Sequence, residues 1–379
     1  MMKLSEKKKA ALTMQLKNML HSVIGRVVLI VLALVLATVF LGLSGYPWGS
    51  VIDGIGRGLV KDFGGTIKAM IFLLITALAV CMPFKMGFFN LGIDGQYYMG
   101  ALACTVVALW LPNLSRVVGI PFLFLIGGIA GMLFALIPAL MKVLWNADEV
   151  VSTLLLNFIA ELVTEAVILG PLKTPNIVNS SEYVSESYFL SSVLGKANTG
   201  LYIGIVLAFL LAFVMNRMRF GYELKVTGEN PEFARYGGIR SKTAILKVMM
   251  VSGFISGIAG VVMILGVQHR FVNLFNSAQI GFSGIVVAIL ANNNPIGCIF
   301  AAFFFACLDN GMTNMQRITN IPAATADIVQ AIIVLAISAT FAAPYIKQWL
   351  KRYKKDKAVS EPATLPQGEE GDAGTEVSR

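Results

Sequence analysis

RMRFGYELKVTGENPEFARYGGIRSKTAILK, residues 217–247, is the one long polar interruption in the middle of an otherwise apolar chain. Inside it a very short helix has both ends marked. Asn230 can cap it, Pro231 suits its first position, Glu232 and Arg235 complement the helix dipole, and Gly237-Gly238 stops it. With Glu229 leading in, that leaves about one and a half turns, too short to hold alone because helix nucleation is costly. Phe233 and Tyr236, three apart, share one face. A capped helix with an aromatic face in a membrane protein's loop reads as a plug for a groove in another protein. The alternative is that both rings pack back onto the protein's own helices.

The rest of the composition fixes the setting. Of the 379 residues 56% are hydrophobic and 13% charged, with a mean hydropathy of +0.75. Ordinary soluble domains carry nearly twice that charge, and many runs here reach the ~20 apolar residues a membrane helix needs. A closed barrel would alternate in polarity instead. The fold class expected is therefore an all-α integral membrane protein. The net charge of +9 is concentrated: 19 of the 30 basic residues lie within residues 1–26, within 217–247, or between Lys347 and Lys357. Basic loops stay inside, so both termini and the central loop are expected to be cytoplasmic. Topology explains this charge without a nucleic-acid partner. Cys81, Cys104, Cys298 and Cys307 sit in apolar runs and read as packing residues, neither disulfide framework nor metal site.

Residues 1–23 form a basic lead-in on the membrane surface, 24–346 the transmembrane domain, and 347–379 a basic stretch followed by a disordered tail. About ten spans fit: 24–43, 66–83, 97–111, 121–141, 151–170, 200–215, 248–266, the short pair 282–291 and 296–308, and 326–346. Residues 46–65 and 171–199 read as outer connections, and 85–96 as an irregular polar segment. Two sub-length helices are informative, because broken helices at membrane depth are tolerated only against protein or a cavity. An internal likeness agrees: NLGIDGQYYMGAL (90–102) and QIGFSGIVVAIL (279–290) share a Gly-x-x-Gly start, and each follows a complete span of opposite direction. An inverted repeat is expected.

The sequence carries no nucleotide-binding P-loop, no HExxH, no GxSxG and no Cys/His cluster. Asn90, Asp94 and Gln96 gather at the start of the third span, where they would line or gate a solute route, or simply cap the helix. Asn157, Glu161 and Glu165 recur every four residues on one helix face, which should turn into the bundle. Ser283 and the free N–H groups opening 282–291 offer donors to a polar solute, or an ordinary cap. The pairs Gly127/Gly131 and Gly253/Gly257 read as sites of close helix packing.

Four stretches taken together, FNLGIDGQYYMGA (89–101), ADEVVSTLLLNFIA (147–160), FGYELKVTGENPEFARYGGI (220–239) and GFSGIVVAILANNNPIG (281–297), resemble the permease subunits of bacterial ABC importers. The nucleoside, simple-sugar-like branch is nearest, with ribose and branched-chain amino-acid permeases more distant. Asp94 stands where the family usually has Glu, and Asp148 where it has Asn. Glu161 falls where the family is generally apolar, so no role carries over to it. The resemblance implies a multi-pass protein of the bacterial cytoplasmic membrane that binds no cofactor itself. ATP would be used by a separate ATP-binding-cassette subunit docking on residues 229–238. A second permease chain and an extracellular substrate-binding lipoprotein would complete the assembly. An ion-coupled secondary carrier using Asp94 or Glu161, and a permease for a simple sugar, are the competing readings.

Overall fold

The computed structural model describes residues 34–173, 180–272, 280–319 and, beyond these, 321–322, 324–325, 327–333 and 335. Within them Leu34–Ile332 makes one compact unit. The expected lead-in, the first ten residues of the first span, most of the last span and the tail lie outside the described residues.

In that unit α1 (Leu34–Leu43) leads to α2 (Ser50–Val60), α3 (Phe63–Lys85), α4 (Ile93–Trp110), α5 (Arg116–Trp145) and α6 (Glu149–Leu169). A small hairpin follows, β1 (Ser192–Leu194) against β2 (Ala197–Asn198). Then come α7 (Gly200–Arg217), α8 (Arg219–Glu229), α9 (Pro231–Tyr236), α10 (Ser241–Met263), α11 (Ile280–Leu290) and α12 (Pro295–Thr319). A π turn, Ile264–Gln268, extends α10 and ends at His269 with a positive φ of 57°.

Two helices form the centre. The apolar window of α3 is 83% buried and that of α10 78%, against 28% for α7. Apolarity on every side, as in α3, is what burial on every side requires. Around them α4 and α5 pack on α10, while α11 and α12 pack on α3. The outer helices α5, α6 and α7 turn large apolar side chains outward, among them Leu133, Phe158 and Phe213, as helices bordering lipid do.

Glycine sets the distance between α4, α5 and α10. A Cβ on Gly257 would lie 2.2 Å from the Gly127 carbonyl oxygen, one on Gly131 2.3 Å from that of Gly253, and one on Gly100 2.5 Å from the Gly257 Cα. No larger residue fits without parting the helices, so the small-residue pairs in the sequence are packing sites as read. At one end of the bundle Asp62 caps α3 by accepting from the Gly65 N–H and pairs with Lys196 of the hairpin at 2.9 Å. Burial pushes the Asp62 carboxyl upward, but the bond and charge of Lys196 outweigh it and hold the group below its ordinary range.

The structure corrects several sequence expectations. Residues 46–65 are not a plain connection: α2 lies there, and its Gly54 and Gly58 seat it on Gly311 of α12. α4 begins at Ile93, so the irregular segment is shorter than expected. The second of the two short helices is full length, 25 residues, because α12 runs on past Asp309 and Asn310. Asn310 can sit in the bundle because its amide donates to the Asp62 carbonyl at 3.0 Å and to Thr66 Oγ1 at 2.9 Å. The central polar stretch is itself mostly helical, as α8, α9 and the start of α10. Among the described residues six helices are long and apolar enough to cross a membrane.

Candidate functional site

At one end of the bundle α9 projects as the sequence describes it. Asn230 is extended and accepts a bond from the Phe233 N–H at 3.0 Å; Pro231 opens the helix. Gly238, at φ +78°, lets the Ile239 N–H return to the Ala234 carbonyl at 2.9 Å, so the last turn closes on a left-handed glycine. Ala234 is the one buried residue of the helix. Phe233 and Tyr236 stand 62% and 89% exposed. In this chain neither ring has packed back onto the bundle.

The base of this peg is seated firmly. Gly228, near the end of α8, lies so close to α3 that a Cβ would come within 2.4 Å of the Lys85 carbonyl and 2.9 Å of the Met86 Cα. Met86 begins the irregular segment that leads to α4. Backbone contact therefore joins the end of α8, from which α9 springs, to the start of the irregular segment.

That segment ends in a buried polar knot. Asn90 donates to Ser252 Oγ of α10 at 2.9 Å and to Gln96 Oε1 at 3.2 Å, and accepts from the Gln96 amide and the Gly92 N–H. Asn157 of α6 accepts from the Gly95 N–H and donates to the Leu91 carbonyl, both at 2.9 Å. Thr153 accepts from the Leu91 N–H. Ser252 and Ser256 donate to the Ala79 and Ile93 carbonyls. Four helices and one loop are thus joined by bonds that satisfy the backbone where α3 stops and α4 starts, as buried polar groups require.

The starts of α4 and α11 meet beside this knot. Asp94 Oδ1, in the first turn of α4, accepts from the Gly281 N–H of α11 at 2.7 Å. Gly281 leaves room for that carboxylate, and Gly284 lets α11 lie against Thr76 of α3. Asp94 thus caps the opposite helix, a partner that compensates part of the cost of a carboxylate in the interior. Ser283 is half-buried one turn along α11, and Glu161 and Glu165 are half-buried on α6. Among the described residues no group of His, Cys, Asp and Glu is placed to hold a metal ion.

Residues 63–338 match the family of branched-chain amino acid transport system permease components. The chain belongs to that permease family. Among curated relatives, it is 30% identical to the nucleoside ABC transporter permease protein NupB of Lactococcus lactis, over 93% of this chain and all of that one. It is 28% identical to the guanosine ABC transporter permease protein NupP of Bacillus subtilis, covering 85% and 95% of the two chains. It is 30% identical to the glucose ABC transporter permease protein TsgB13 of Haloferax volcanii, covering 78% and 80%.

Of the six residues that the sequence offered for a solute route in this permease, Asn90, Gln96 and Asn157 come together in the knot and Asp94 lies beside it. Ser252, Ser256 and Thr153 complete the set and escaped the sequence reading. Their signal was present: Thr153 and Asn157, and Ser252 and Ser256, are polar pairs four apart on apolar helices, each pair on one face.

Proposed function

We propose that the permease is the translocation subunit of an ATP-driven importer of nucleosides, with ATP hydrolysed on a separate ATP-binding-cassette polypeptide that grips α9. The observation that carries this reading is the outward pair Phe233 and Tyr236 on a helix too short to stand without a purpose. Glu229, Asn230, Pro231, Arg235 and Gly237 shape and orient the peg; the two aromatics fill the partner's groove. Membership of the permease family favours this over an ion-coupled carrier.

In this reading α8 and α9 and both termini face the cytoplasm of a bacterial cell, and about ten spans cross the membrane as an inverted repeat. The matching places of α4 after α3 and of α11 after α10 support the repeat, as does the packing of each leading helix against the other's follower. A second permease chain and an extracellular lipid-anchored binding protein complete the importer. Closure of the ATPase pushes α9, and Gly228 passes the push to Lys85 and Met86 and so to the knot at Asn90. The starts of α4 and α11, with Asp94 and Ser283, border the route. Asn90, Gln96 and Asn157 form its rigid wall, and Glu161 lies one turn further along α6.

Nucleosides are preferred because nucleoside permeases match across most of both chains, NupB over its whole length. The test is uptake of radiolabelled guanosine, adenosine, uridine and glucose by cells carrying or lacking this gene. Loss of nucleoside uptake alone is expected. Loss of glucose uptake alone would assign a sugar substrate and overturn the nucleoside reading.

A further inference from the structure

Two cavities lie end to end where α5, α8 and α10 meet, and they share Lys247. One, of about 310 Å³, is polar. It is lined by Arg219, Arg240 and Lys247 with Thr243, and its one carboxylate, Glu223, is already paired with Arg219 at 2.9 Å. Arg240 and Lys247 have no carboxylate partner among the described residues. The first turn of α10 opens beside them with no side-chain cap on its N–H groups. The other cavity, of about 410 Å³, is apolar and runs from Lys247 along Met250, Val251 and Phe254, with Met132 and Phe220 across from them.

Helix length puts this pair at a membrane boundary. The apolar helix Ser241–Gln268 has 28 residues, about 42 Å at 1.5 Å per residue, against a hydrocarbon core of about 30 Å. About 12 Å of it extends beyond that core. Ser241, Lys242, Thr243 and Lys247 make its first turns the polar end and so set them at the headgroup level, with Lys247 about 9 Å from the start. Cations sit at the headgroup level and an apolar slot continues below them. A soluble anion would need only the first cavity, and a neutral lipid only the second.

We propose that the two cavities form one binding site for an anionic phospholipid. Arg240 and Lys247 hold its phosphate, and an acyl chain lies along Met250 and Phe254. Guanidinium and ammonium groups left over after Glu223 is neutralised suit a phosphodiester. A groove at the opposite end, under Arg116, lacks this feature, because that guanidinium already donates to the Phe189 carbonyl and Ser191 Oγ, both at 2.8 Å. Gly238 and Arg240 follow α9 directly, so a bound phosphate would tie the end of the peg to α10. Assignment of the site to the cytoplasmic leaflet, and any effect on transport, rest on the coupling role proposed above; binding itself does not.

The experiment is native mass spectrometry of the purified full-length protein with phosphatidylglycerol or phosphatidylcholine of identical acyl chains, alongside thermal stability with inorganic phosphate. Phosphatidylglycerol should be retained about thirtyfold better (about 2 kcal/mol for two cations near the surface). Arg240→Gln with Lys247→Gln should reduce that preference to near unity. Met250→Trp, which fills the slot, should weaken retention of both lipids. Lys242→Gln, outside both cavities, should change nothing. Equal retention of the two lipids would overturn the proposal, as would an equal loss with Lys242→Gln. So would stabilisation by inorganic phosphate alone matching that by phosphatidylglycerol, which would assign the pocket to a soluble anion.

Discussion

Asn90→Ala is expected to be among the most damaging single changes in this chain. Asn90 is fully buried and makes four hydrogen bonds. Its removal orphans the Gly92 N–H and both ends of the Gln96 amide, which is itself buried. Ser252 keeps its bond to the Ala79 carbonyl. Three buried polar groups at the low end of about 1 kcal/mol each give roughly 3 kcal/mol. Phe89→Ala, next door but half exposed and stacked edge-on to Phe84, should cost about 1 kcal/mol. The assay is unfolding of each purified variant by SDS in mixed micelles. A cycle with Ser252→Ala should show coupling on the order of 1 kcal/mol between the two side chains. If Asn90→Ala costs no more than Phe89→Ala, or the cycle shows no coupling, the knot does not hold α3, α4 and α10 together as described.

Three further outcomes follow from the same geometry. Gly257→Leu should prevent stable assembly, since even a Cβ there would stand 2.2 Å from the Gly127 carbonyl; recovery of folded protein after membrane extraction measures it, and normal yield would deny the three-helix contact. Asn230→Ala removes the cap on α9, at about 1 kcal/mol locally, and should lower solute uptake several-fold while global unfolding is unchanged; equal uptake would show that the cap is dispensable. The Asp62–Lys196 pair should weaken in acid. The folded carboxyl titrates below its ordinary value of 3.8, so its stabilisation is complete above that pH and is lost as pH falls through the lower folded value. With Lys196 mostly exposed, the loss is no more than about 1 kcal/mol. Lys196→Met should abolish this acid dependence of unfolding.

The peg was legible in the sequence because every signal for it is local: a cap, a proline, two glycines and two aromatics within nine residues. The close packing of α4, α5 and α10 was legible in part, since the glycine pairs are evident but their partners are not. What the sequence hid depends on distant partners. The apolar run after Pro295 looks finished at Asp309 and Asn310, and nothing nearby reveals that Asn310 bonds to residues some 250 positions earlier. α2 was hidden for the opposite reason. Its glycines suggest a loop by local propensity, yet they are the surface by which the helix packs on Gly311. At the candidate site the sequence identified Asn90, Asp94, Gln96 and Asn157 as polar groups out of place in an apolar bundle. It left open whether Asn90, Asp94 and Gln96 line a solute route or cap a helix; the structure bonds Asn90 to Gln96 and Ser252, and Asn157 to the backbone of Leu91 and Gly95. Ser252 and Ser256 escaped because short hydroxyls in apolar helices commonly bond to their own backbone, whereas these two reach other helices.

The central claim is that force enters this permease through the two exposed rings of α9. The most direct measurement is nucleoside uptake by cells in which Phe233→Asp and Tyr236→Asp replace both aromatics together, with membrane insertion of the variant verified. Uptake should fall to the level of the gene deletion while insertion stays at the wild-type level. Uptake that persists undiminished in the inserted variant, or ATP-independent pumping by the purified chain alone, would contradict it.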